Sequence, residues 1–129
     1  MTHLTRSGLW AAAITFGVAF PAVAHHSHAM FDHTRPQTVT GTVKEFLFRN
    51  PHVYLYVDVK NDRGDVVTYW IEMSNIQNMI KQGINQNTLK VGDAVTVTMH
   101  PLKDGRPGGN YETLKTGDGR SFGREPDLN

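Results

Sequence analysis

A two-residue alternation of apolar and polar side chains recurs along this chain, and it restricts the fold to half-buried β-strands. In residues 52–59, Val53, Leu55, Val57 and Val59 point one way, and His52, Tyr54, Tyr56 and Asp58 the other. Residues 66–73 repeat the pattern, with Val67, Tyr69, Ile71 and Met73 opposite Val66, Thr68, Trp70 and Glu72. In residues 94–100, Val95, Val97 and Met99 alternate with Thr96, Thr98 and His100. Such segments place one face on a core and the other in solvent.

Two further strands complete the set. Residues 37–48 are rich in β-branched and aromatic side chains; a phase shift near Lys44 and Glu45 predicts a bulge, and Gly41 a tight bend. Residues 111–116 form the fifth strand, after a loop read over 103–109, and Gly117-Asp118-Gly119 leads into a short tail. Between the third and fourth strands, Ser74 or Asn75 can cap a helix over residues 76–82 that ends at Gly83. Three strands, one short helix and two strands is the element order of an OB-type barrel. The expected fold is therefore all-β, a small OB-like five-stranded antiparallel barrel. The alternative is a plain antiparallel sandwich, for which five strands are few.

The length of 129 residues fits one domain. Residues 1–24 read as a secretory signal peptide: Arg6, then an apolar run from Leu9 to Phe20, then Pro21 and a small-x-small Ala22-Val23-Ala24. The run is too short for a comfortable membrane span. Expected localisation is the periplasm, after cleavage, with no remaining membrane span. Residues 25–36 then form a histidine-rich N-terminal arm, and residues 37–129 the barrel domain.

The chain lacks cysteine, which excludes disulfides, thiolate catalysis, Cys-type zinc sites and iron–sulfur clusters. A net charge of +1 lacks the basic excess of a nucleic-acid binder. The sequence contains no nucleophile elbow, phosphate loop or HExxH, so it offers little support for an enzyme.

The chemistry concentrates at the new N-terminus. Cleavage after Ala24 would free the α-amine of His25, which can chelate one ion together with its own imidazole. A further imidazole, from His26 or His52, completes a planar three-nitrogen set suited to Cu(II). Glu72 can ligate or accept an imidazole N–H. Met30, beside the histidines, is a soft donor for Cu(I). Met73, Met79 and Met99 fit core packing better. The blander reading of the histidines is a solvated arm that binds metal weakly. The expectation is an exported copper-binding protein that carries, buffers or delivers the ion, with an envelope protein as its partner. The alternative is a non-metal module that binds a small ligand, glycan or protein on an aromatic face of Phe46, Tyr54, Tyr56 and Trp70.

Several short motifs occur in order: His25-His26-Ser27, Ala29-Met30-Phe31-Asp32, Gly41-Thr42-Val43, Asn50-Pro51-His52, Trp70-Ile71-Glu72, Gly92-Asp93 and Pro101-Leu102-Lys103-Asp104-Gly105. On these the chain resembles a small exported bacterial domain-of-unknown-function family with an N-terminal HHS…FD motif and a central NPH motif. The resemblance implies export and a small β-rich domain, and it points to His25, His26, His52, Trp70 and Glu72 as a shared site. It implies no activity. His28 stands where that family carries an aromatic or apolar residue, so it is left out of the ligand set.

Overall fold

The alternating segments become strands because each has a wall of valine, leucine, isoleucine or methionine to bury. A computed structural model describes residues 26–123. The elements are α1 (His26–Ala29), β1 (Gln37–Leu47), β2 (Tyr54–Lys60), β3 (Val66–Glu72), α2 (Ile76–Lys81), β4 (Ala94–Pro101), β5 (Gly108–Thr116) and β6 (Ser121–Gly123). The expected signal peptide (1–24) and His25 lie outside the described residues. Among the described residues no helix is long and apolar enough to cross a membrane.

The strands lie in the order β3-β2-β1-β4-β5-β6, and β3 also pairs with β5. That extra pairing closes β1 to β5 into an OB-type barrel. All other pairings are antiparallel, but β3 and β5 run parallel. The barrel is therefore mixed rather than purely antiparallel. A parallel pair needs a long crossover, and here α2 and β4 provide it.

β1 serves two neighbours, pairing with β4 over Gln37–Thr42 and with β2 over Thr42–Leu47. It bends at Gly41, where a Cβ would strike the Asp58 carbonyl. The expected bulge is present, with the register jumping between Val43 and Glu45. Beyond it Phe46 pairs with the inward-facing Leu55, so Phe46 packs on the core beside Phe48 and not on the outer aromatic face.

The core holds Val53, Leu55, Val57, Ile71, Val97, Met99 and Leu114, all fully buried. Asn75 caps α2 by accepting from the Asn78 N–H at 2.9 Å. α2 turns Met79 into the same core. Two loop expectations change. Gly108 and Gly109, read as loop, begin β5 and pair with Trp70 and Ile71. A Cβ on Gly108 would strike the Trp70 carbonyl, so the closing pair depends on a residue without a side chain. The tail after Gly119 adds β6 to β5 as a short hairpin strand.

Candidate metal centre

The arm ahead of β1 is anchored by one side chain. Phe31 is buried and bridges to Leu102 beyond β4. Backbone hydrogen bonds run from Asp32 N–H to the Pro101 carbonyl (2.8 Å) and from Lys103 N–H to the Met30 carbonyl (2.9 Å). Lys103 Nζ donates to the Ala29 carbonyl at 2.8 Å. The Asp32 carboxylate closes the following turn by accepting from both Thr34 N–H and Thr34 Oγ1, and these bonds hold its pKa below the ordinary value.

An aromatic line leads from this anchor to His52. Phe31 stacks on Trp70 with ring centroids 6.3 Å apart, and Trp70 stacks on Tyr54 at 5.7 Å. His52 meets Tyr54 edge-on at 6.4 Å. Offset and edge contacts of this kind each contribute about 0.5–1.5 kcal/mol beyond the area they bury. The expected ring face is therefore partly occupied by the chain itself, since Phe31 takes one side of Trp70. Tyr56 lies across the β2–β3 ladder from Trp70, half-buried.

Strand register sets four outward-facing residues side by side across β2, β3, β5 and β4: Tyr54, Glu72, Asn110 and His100. Glu72 is only 6% exposed, and its Oε1 lies 2.9 Å from His52 Nδ1. A buried carboxylate needs such a partner. Asn110 Nδ2 donates to the Glu72 carbonyl at 3.2 Å. Burial raises the Tyr54 phenol pKa above its ordinary value, and the Glu72 carboxylate raises it further.

A cavity of about 430 Å³ opens over this row, lined by residues that include His28, His52, Glu72, His100, Asn110 and Glu112. The arm thus brings His28 to the same space as His52 and Glu72. His100 Nδ1 is buried without a hydrogen-bond partner. Its Nε2 lies 4.0 Å from Glu112 Oε2. Tyr111, on the cavity wall, donates to Gln82 Oε1 at 3.2 Å, and burial raises the pKa of its phenol. Among the described residues no three His, Asp or Glu side chains stand close enough together to hold an ion. A larger cavity of about 530 Å³ lies at the other end of the β4–β5 pair, but it contains no histidine and its Arg120 is paired with Asp118.

Of the residues singled out from the sequence, His52 and Glu72 come together, and Tyr54 and Trp70 support them. His25 lies outside the described residues, as does the side chain of His26. Met30 is half-buried and does not line the cavity. His28, His33, His100 and Glu112 were not nominated. The alternation in residues 94–100 already turns His100 outward, but only the strand register reveals its neighbours.

The chain belongs to the family of unknown function DUF6152, whose model matches residues 13–113. No curated protein and no solved structure matches it.

Proposed function

We propose that this protein is exported, cleaved after Ala24, and binds a transition metal, with copper as the ion it carries, buffers or delivers to an envelope partner. The observation that carries this reading is the docking of the arm. Phe31 anchors it so that His28 and His52 line one cavity, and His25 and His26 immediately precede that anchored segment. The motifs of the sequence then have distinct roles: Phe31 and Asp32 seat the arm, and the Asn50-Pro51-His52 turn delivers the imidazole.

In this reading His25 chelates by its amine and Nδ1, and His26 or His52 completes the plane. Glu72 faces His52 Nδ1. A proton on that nitrogen meets the carboxylate and leaves the Nε2 lone pair for the ion, the usual way a carboxylate orients a metal-binding histidine. Nitrogen donors in a plane suit Cu(II). Met30 as a Cu(I) donor has less support, because it does not line the cavity. The aromatic-face module has less support too, since Phe31 covers one side of Trp70 and Phe46 packs on the core.

The test is the copper-to-protein ratio of the untagged, exported and cleaved protein after copper exposure and desalting. The N-terminal site is expected to add about one copper per protein, an increment lost when a residue is added before His25 and reduced in His52→Ala. No retained copper, or retention indifferent to both changes, overturns the reading.

A further inference from the structure

Glu72 and His100 face the same cavity but belong to strands two places apart, with β5 between them. Two strand spacings put their backbones about 10 Å apart. The carboxylate within 4.0 Å of His100 is Glu112 and not Glu72, and the imidazole beside it is His33 and not His52.

The His100 end has its own donors. His33, from the arm, sets its ring 4.6 Å from the His100 ring, centroid to centroid. Two imidazoles bound at a right angle to one ion, with bonds of about 2.0 Å, have centroids about 4.5 Å apart. The 4.0 Å gap between His100 Nε2 and Glu112 Oε2 is too long for a hydrogen bond. Adjacent donors on one ion with bonds of about 2 Å lie about 3 Å apart, so a shared ion would draw this pair together by about 1 Å. His28 stands 6.1 Å from His33 and offers a further imidazole from the arm. His33 and His28 are exposed and free to turn, whereas His100 and Glu112 are held on neighbouring strands.

We infer that His33, His100 and Glu112 form a second metal site, for a borderline divalent ion such as Cu²⁺ or Zn²⁺, which fastens the arm to β4 and β5. Nitrogen and carboxylate donors without sulfur select this class of ion. As described, no three such side chains stand at ligation distance, so binding requires the exposed His33 to rotate toward His100 and Glu112. Closure ties the segment anchored by Phe31 at a second point and stiffens the approach to His52. This site does not depend on the N-terminal amine.

The test uses the exported protein with one extra residue before His25, which removes the free histidine amine. Titration with Cu²⁺ and with Zn²⁺, each alone, is expected to show one equivalent bound. Affinity should fall at least tenfold in His33→Ala and in His100→Gln, and stay unchanged in His52→Ala. Metal should also slow amide exchange over residues 29–35 in the parent and not in His33→Ala, an exposed substitution that leaves the barrel intact. Absence of binding, or binding indifferent to both His33 and His100, overturns the inference. If the second site persists while the unextended protein gains no further copper, the N-terminal reading fails and this one stands.

Discussion

His52 is a stronger ligand candidate for its neighbours than for its own chemistry. The Glu72 carboxylate sits against its Nδ1, and Tyr54 meets its ring edge-on. Glu72→Gln keeps the shape but removes the charge, and it is expected to weaken copper binding about 10–100-fold, the usual loss when a ligand's supporting carboxylate is changed. Competition against a copper chelator measures this; an unchanged affinity would detach Glu72 from the site. The alternation of residues 66–73 had already put Glu72 and Trp70 on one face, and that pairing was legible. Phe46 was not. One extra residue at the bulge reverses the facing of everything after it, and the sequence pattern marks that a bulge exists more clearly than which residues it inverts. His100 was hidden for a different reason, since an outward histidine has no meaning until the arm supplies His33 and the adjacent strand Glu112.

At the level of elements, the arm and the closing strand pair carry the architecture. Phe31→Ala removes the ring that seats the arm on Leu102 and Trp70. Truncating a buried phenylalanine typically costs about 3–5 kcal/mol. Phe31 is not part of the main core cluster, so the expected loss is local. Residues 28–34 should become cleavable by protease and exchange quickly, while the thermal transition of the barrel changes less. Gly108→Ala acts on the barrel itself. Its Cβ would strike the Trp70 carbonyl at a positive φ of 147°, so β3 and β5 must separate. Urea unfolding is expected to show a loss of more than about 2 kcal/mol, in the range of strain at special backbone positions. The strands with side-chain alternation were readable, and the Gly108-Gly109 start of β5 was not. Glycines that permit close approach look the same in sequence as glycines that make a turn.

For the whole molecule, acid and alkali act through different groups. The carboxylates of Asp32, Asp104 and Asp118 are held below their ordinary pKa, chiefly by hydrogen bonds within their own turns. Their contribution is present above the unfolded value of about 3.9 and is lost as pH falls through the lower folded values. Tyr111 is the reverse case. Burial raises its pKa, so above about pH 10 the unfolded chain releases a proton that the native state keeps. Stability therefore falls as pH rises through that window. Tyr111→Phe should flatten the alkaline limb of a melting-temperature profile between pH 9 and 12, leaving the acid limb in place; an unaltered alkaline limb would assign that fall to other groups.

The seat of the arm also has an order in time. Phe31 precedes every strand of the barrel, while Leu102, Asn110 and Glu112 come after four of them. Synthesis therefore delivers the histidines first and the surface that receives them last. A chain stalled within β4 has not yet made Pro101 and Leu102, so its arm has nowhere to rest. Arm docking thus reports that the chain has been made through β4, because the residues that seat Phe31 stand at the end of that strand.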